Sequence, residues 1–219
     1  MTPDFVTGNE VGIKICGIRS LDDAMLSVNC GANSLGFNFW SKSNRYITRN
    51  QIQEWIPFIG ERIERVGVFV NADPDEVISL LEDNVIDVAQ FHGDEPPSYC
   101  EFISERFKVI RAVGVKDAKS LDALSSSNID TILLDAYCPD NYGGTGRSFE
   151  WGIGEMFVKQ NPQTNVILAG GLDPSNVSDA IKSVRPSAVD VASGVENDIG
   201  FKDPDSIKKF ISAIKNPSQ

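Results

Sequence analysis

The sequence predicts a single α/β domain, residues 1–219, built as a (β/α)8 barrel (TIM barrel). Eight short apolar runs alternate with eight polar stretches of helical periodicity, in units of about 20 to 35 residues. The chain has 219 residues, which accommodates eight such units and little more. A doubly wound open sheet uses the same alternation, but it normally has fewer strands and a glycine fingerprint after the first. Here only Gly17 follows that strand, so we favour the barrel.

The predicted strands are rich in β-branched residues and show little alternation of apolar and polar positions. Such runs are typical of parallel strands that are buried on both faces. They are VGIKIC (11–16), SLGFNF (34–39), RVGVFV (65–70), IDVAQF (86–91), KVIRAV (108–113), DTILLDA (130–136), NVILAG (165–170) and AVDVAS (188–193).

The stretches between the strands carry helix-start signals. Ser20 and Thr48 precede the first two predicted helices as N-caps. An aspartate followed by proline, at Asp73, Asp173 and Asp203, predicts the start of three more. The remaining helices are predicted in PPSYCEFISERF (96–107), KDAKSLDALS (116–125) and SFEWGIGEMFVK (148–159).

Composition indicates a soluble cytoplasmic protein. The net charge is -11 without any Lys/Arg cluster, which argues against nucleic acid as a partner. No apolar run approaches the ~20 residues that span a bilayer, and residues 1–10, a short N-terminal extension of no evident role, lack a signal-peptide profile. Four scattered cysteines indicate reduced thiols. Oligomeric state is left open.

A barrel of this kind carries its chemistry where the strands end, at the carboxyl-terminal rim. Cys16 ends the first strand, and Asp135 lies at the end of the sixth. A thiol and a carboxyl form a plausible general base and general acid. Position alone leaves two interpretations of Cys16 equally open, a reactive thiol and a small buried hydrophobe. Asp135 is the stronger candidate, because an aspartate at the end of a buried strand needs a reason to be there.

Small residues follow the seventh and eighth strands, at Gly170-Gly171 and Ser193-Gly194. Turns at these two strand ends often bind a phosphate through backbone N–H groups, so we predict a phosphate site there. Glu196 lies nearby and is expected to be a hydrogen-bonding or structural partner rather than a phosphate ligand.

Arg45 and His92 follow the second and fourth strands. Arg45 is either an ordinary loop residue or a clamp for a substrate carboxylate, which its planar fork matches. His92, the only histidine, could be a base, a substrate contact or a structural residue. Without a second histidine or a nearby cysteine, no metal site is predicted.

Many of these residues belong to stretches that together carry a resemblance to a known family. The stretches are KICGIR (14–19), SNRYI (43–47), GVFVN (67–71), QFHGDE (90–95), LLDA (133–136), GGTGRSFEW (143–151), LAGGLDPSNV (168–177), VDVASGVE (189–196) and GFKD (200–203). They resemble phosphoribosylanthranilate isomerase, a barrel enzyme of tryptophan biosynthesis, in the family's order and over nearly the whole chain. Asn44 and Ile199 stand where that family usually or often has proline.

The resemblance implies an Amadori rearrangement of N-(5'-phosphoribosyl)anthranilate to 1-(2-carboxyphenylamino)-1-deoxyribulose 5-phosphate, without cofactor or metal. It assigns Cys16 as general base, Asp135 as general acid and Arg45 as the group that holds the anthranilate carboxylate. The other substrate-binding residues are expected to be His92, Gly170, Gly171, Ser193 and Gly194, with Gly144 and Gly146 in a loop over the site.

Two alternatives follow from the same residues. A histidine-pathway aminoaldose isomerase runs the same rearrangement with two aspartates, so Cys16 at the first strand end disfavours it. A barrel that binds a ligand without catalysis is disfavoured because both proposed proton-transfer groups are present. The only cation that the sequence suggests beside the Cys16 thiol is Arg19.

Overall fold

Eight parallel strands form the centre of the computed structural model, which describes residues 1, 3–126, 129–138 and 148–215. The strands are β1 (Gly12–Cys16), β2 (Ser34–Asn38), β3 (Glu64–Phe69), β4 (Val88–Phe91), β5 (Lys108–Val115), β6 (Thr131–Ala136), β7 (Asn165–Leu168) and β8 (Ala188–Val191). Each strand pairs with the next, and β8 pairs with β1, so the sheet is a closed barrel. The predicted fold class is therefore confirmed, although β4 starts at Val88 rather than at 86 and β5 continues to Val115.

Helices cover the outside of the barrel. They are α1 (Leu21–Cys30), α2 (Arg49–Ile59), α3 (Pro74–Glu82), α4 (Pro97–Ser104), α5 (Trp151–Gln160), α6 (Val177–Val184) and α7 (Pro204–Lys215). Ser20 caps α1 by accepting a hydrogen bond from Asp23 N at 3.0 Å, and Thr48 forms a capping box with Gln51 at the start of α2. Asp73 caps α3 as predicted. None of the described helices is long and apolar enough to cross a membrane.

Two helix predictions were wrong in detail. The stretch 116–125 contains a 3-10 helix, Ala118–Ser126, rather than an eighth α-helix. Ser120 Oγ accepts hydrogen bonds from the backbone of Lys116 and Asp117, a local arrangement that competes with α-helical bonding. After β7, α6 starts at Val177 rather than beside Asp173, because the Asp173 carboxylate closes a turn on Ser175.

Alternation along the strands separates two apolar regions. Outward-facing residues such as Ile13, Ile15 and Leu35 pack in the large cluster beneath the helices. Inward-facing residues form a second cluster inside the barrel, made of Phe5, Val6, Val66, Val88, Ile110, Leu133, Ile167, Ala169 and Ala188. The interior of the barrel is therefore filled by side chains.

The N-terminal extension closes the amino-terminal end of the barrel. Its 3-10 helix, Asp4–Val6, buries Phe5 and Val6 in the interior cluster. Phe5 N donates to Glu64 Oε2 at 2.8 Å, and Lys108 Nζ lies 2.8 Å from Asp4 Oδ1. Glu64 and Lys108 are the first residues of their strands, so these contacts place the extension opposite the rim where the strands end.

Candidate active site

Cys16 lies at the end of β1, beside charged groups from several other elements. Burial raises the pKa of its thiol above the ordinary value, whereas the ammonium groups of Lys14 and Lys202 act in the opposite direction. The expectation that Arg19 supplies the nearby cation was wrong. Its guanidinium donates to the backbone oxygens of Asn44 and Ile199 and stacks over the Phe201 ring.

Asp135 is buried near the end of β6 and accepts two hydrogen-bonding contacts. Its Oδ1 accepts from Ala136 N at 2.8 Å, and its Oδ2 lies 3.2 Å from His92 Nε2. His92 Nδ1 in turn lies 3.1 Å from the Gln90 amide nitrogen. If that amide donates, Nδ1 accepts and Nε2 carries the proton that faces Asp135. The structure shows that His92 contacts Asp135, and it does not decide among the three roles considered for His92.

Arg45 is half-buried at the rim, so it is not an ordinary exposed loop residue. Its Nε and Nη2 donate to the two carboxylate oxygens of Glu196, each at 2.7 Å. Glu196 also accepts from Lys202 Nζ at 2.9 Å, which confirms that it is a hydrogen-bonding partner. The aliphatic part of Arg45 lies against Gly17, where an added Cβ would come within 2.3 Å of Arg45 Cδ.

The glycine turns after β7 and β8 lie against one another. Gly170 and Gly171 have φ values of 83° and 63°, in the left-handed region that favours glycine. A Cβ on Gly194 would lie 1.9 Å from the Leu172 carbonyl oxygen, so only glycine fits there. Ser193 starts the short 3-10 helix Ser193–Val195. The four predicted phosphate-site residues thus occupy two adjoining turns beside Asp135, whose Oδ1 would be 3.1 Å from a Cβ on Gly170.

Two predicted residues, Gly144 and Gly146, lie outside the described residues. Within the part of the chain that is described, no three His, Cys, Asp or Glu side chains are grouped as metal ligands.

Comparison with known proteins identifies the family. A model of the family described as N-(5'phosphoribosyl)anthranilate (PRA) isomerase matches residues 13–213. The chain belongs to this family. A PRA isomerase from Citrifermentans bemidjiense is 42% identical over 203 residues, which are 93% of this chain and 96% of that protein.

Solved PRA isomerases share the fold. A crystal structure of the enzyme from Thermotoga maritima has a TM-score of 0.86 and 40% identity, covering 94% of this chain and 99% of that one. A second PRA isomerase structure contains reduced 1-(o-carboxyphenylamino)-1-deoxyribulose 5-phosphate. Its TM-score is 0.82 and its identity 39%, again over 94% of this chain and 99% of that one.

Sequence reasoning missed the buried charges around Cys16, namely Lys14, Asp190, and Lys202. Lys14 and Lys202 have side chains with no exposed surface, and Lys14 pairs with Asp190. The sequence did indicate two of these residues, because Lys14 and Asp190 are charged residues within otherwise apolar strand runs. A charge in such a run needs a partner inside the barrel.

Proposed function

We propose that this chain catalyses the rearrangement of N-(5'-phosphoribosyl)anthranilate to 1-(2-carboxyphenylamino)-1-deoxyribulose 5-phosphate in tryptophan biosynthesis. The observation that carries the proposal is a thiol and a carboxyl, Cys16 and Asp135, at two strand ends of a barrel that belongs to the PRA isomerase family. A solved relative that holds a reduced form of the product supports a phosphorylated substrate of this class.

Asp135, in its protonated form, donates a proton to the ribose ring oxygen, which opens the ring to a Schiff base. The resulting carboxylate is stabilised by the N–H of Ala136 and by His92, both within hydrogen-bonding distance. The thiolate of Cys16 then removes the C2' proton, giving an enolamine that tautomerises to the ketone. The reaction is an isomerisation, so no atoms or electrons are gained or lost overall, and the steps need no cofactor.

Arg45 is proposed to hold the anthranilate carboxylate. In the structure its Nε and Nη2 are bound to Glu196, and Glu196 is also held by Lys202. The substrate carboxylate therefore takes the remaining donors of the guanidinium or displaces Glu196, which Lys202 keeps at the site. Backbone groups of Gly170, Gly171, Ser193 and Gly194 are proposed to hold the phosphate.

The partner is then a small phosphorylated molecule rather than nucleic acid, which the net charge of -11 also favours. We place the protein in the cytoplasm, in keeping with its four free cysteines.

Loss of anthranilate fluorescence on mixing the purified chain with phosphoribosylanthranilate tests the proposal. We expect decay with the native chain and, for Cys16→Ala, turnover lower by about 10²- to 10⁴-fold with a nearly unchanged Michaelis constant. Cys30→Ala removes a half-buried thiol on α1 and is the matched control, with native turnover expected. Absence of decay in the native chain would favour a barrel that only binds ligand, and normal turnover in Cys16→Ala would remove Cys16 as the base.

A further inference from the structure

A wholly buried lysine lies beside the proposed base and takes no part in the proton transfers above. Lys14 precedes Cys16 by two residues on β1, so both side chains face the barrel interior. Its Nζ lies 2.8 Å from Asp190 Oδ1 on the neighbouring strand β8. A buried ion pair is often no more stabilising than apolar residues of the same size, so packing alone does not account for it.

Strand β2, on the other side of β1 from β8, has a glycine where the Cys16 thiol and the Lys14 ammonium lie. Gly36 on β2 is the register partner of Cys16. A Cβ on Gly36 would lie 2.6 Å from Cys16 Sγ and 3.0 Å from Lys14 Nζ. Cys16 Sγ and Lys14 Nζ therefore both lie next to the Gly36 Cα, in space that the side chain of any residue other than glycine at position 36 would occupy.

The charges around Cys16 are matched to a thiolate. Lys14, Lys202, Arg45 and Asp190 act on it directly, and Glu196 pairs with two of these cations, Arg45 and Lys202. Among these described groups the cations exceed the carboxylates by one, so a thiolate would make the cluster neutral. Burial raises the pKa of Cys16, and among the groups that lower it Lys14 has the largest effect.

We propose that Lys14 is a positioning residue for this reaction: its ammonium, anchored by Asp190 and admitted by Gly36, stabilises the thiolate form of Cys16. The proposal rests on the function proposed above, in which that thiolate is the base. The thiol first loses its proton to solvent. The thiolate then takes the C2' proton while the electron pair of the C–H bond forms the enolamine double bond. Lys14 remains protonated throughout and transfers nothing.

The test measures the thiolate directly and without substrate, so it does not depend on whether Cys16 is the base. The full chain is alkylated with iodoacetamide over a range of pH. The modification of Cys16 is quantified by mass spectrometry after a peptic digest, which does not depend on cleavage at lysine. Alkylation of Cys30 in the same digest is the internal control. Because only the thiolate reacts, the pH profile gives the pKa of Cys16.

Opposite shifts are expected from the two members of the ion pair. Lys14→Met removes the stabilising cation, so alkylation of Cys16 at a pH below its pKa should slow by about tenfold or more. Asp190→Asn removes a carboxylate that opposes the thiolate but keeps a side-chain oxygen that can hold the Lys14 ammonium, so alkylation should become faster. Gly36→Ala keeps every charge but separates the thiol from the ammonium, so it should slow alkylation as Lys14→Met does. The Cys30 rate should stay the same in all variants.

Lys14→Met leaves Asp190 buried without its cation. If this variant does not fold, the double variant Lys14→Met/Asp190→Asn replaces it. That variant should still react more slowly than the native chain, because the effect of Lys14 on the thiol exceeds that of Asp190. Unchanged Cys16 profiles in the folded variants, or shifts of the same sign for Lys14→Met and Asp190→Asn, would overturn the proposal. Loss of activity in Cys16→Ala with no such shifts would leave the base assignment intact and remove Lys14 alone.

Discussion

At the scale of single residues, some groups of the site could be predicted from the sequence and others could be assigned only from the structure. Cys16 and Asp135 could be selected because they lie at the ends of predicted strands, and Arg45 because it follows one. Lys14 interrupts an apolar run and so could be noticed, but its partner could not be named, because the register of β8 against β1 is what brings Asp190 within reach. Likewise, the contact of His92 with Asp135 joins two strands that are not neighbours in the chain.

The carboxyl of Asp135 is predicted to act by giving up a proton. Asp135→Asn keeps the shape and the contact with Ala136 N but cannot act as the acid. We expect kcat to fall by about 10²- to 10⁴-fold with little change in the Michaelis constant, measured by the fluorescence decay. Asp130→Asn, at an exposed position before β6, should retain native kcat. An active Asp135→Asn enzyme would show that another group opens the ring.

The fork of Arg45 is predicted to contribute to substrate binding. Arg45→Ala should raise the Michaelis constant by about 10- to 100-fold, the value of hydrogen bonds to a charged group, and lower the rate. Arg45→Lys should restore little, because an ammonium cannot bind a carboxylate through two parallel bonds. Arg49→Ala removes an arginine that pairs with Asp83 on the outside of the barrel and is the control. Native kinetics for Arg45→Ala would exclude the carboxylate role.

At the scale of elements, the order of strands and helices could be predicted well, because periodicity and caps are local properties. The exception is the 3-10 helix between β5 and β6, where an α-helix was predicted. There Asp117 and Ser120 hydrogen-bond to one another and to nearby backbone, which competes with α-helical hydrogen bonds. The late start of α6 has the same cause, because Asp173 closes a turn instead of capping the helix. Serine and aspartate favour both outcomes, so the sequence alone does not decide between them.

The N-cap of α1 provides a test at this scale. Ser20→Ala removes the acceptor for Asp23 N, so the free energy of unfolding should fall by about 1 kcal/mol. Urea denaturation followed by circular dichroism measures the change, and Ser41→Ala at an exposed position serves as control. Equal midpoints for the two variants would mean that water replaces the cap without loss.

At the scale of the whole molecule, the N-terminal extension was the least predictable part. Its partners, Glu64 and Lys108, are the first residues of two strands far along the chain, and no local pattern connects them to Phe5. Gly12 is part of the same arrangement, because a Cβ there would lie 2.0 Å from the Phe5 carbonyl oxygen. We propose that the extension and the barrel form one domain, residues 1–219, that unfolds as a unit.

Phe5→Ala tests that proposal. The side chain is buried in the interior cluster, so its loss should lower the free energy of unfolding by about 3 kcal/mol. A single transition, seen alike by tryptophan fluorescence and circular dichroism, should move as a whole while kcat stays native. Phe58→Ala, at a position that is 60% exposed, should have little effect. A separate early transition in the native chain would contradict the single domain.

The position of the Phe5 contacts also has a consequence for how such a chain can change over generations. Buried charges such as Lys14 and Asp190 can lower stability, and they lie next to Cys16, the last residue of β1. Phe5 and Val6 add apolar contacts at the other end of the barrel, where no proposed substrate group reaches. A chain with such a reserve can accept destabilising replacements around its substrate and remain folded, so the extension widens the range of substrates that the same barrel could come to use.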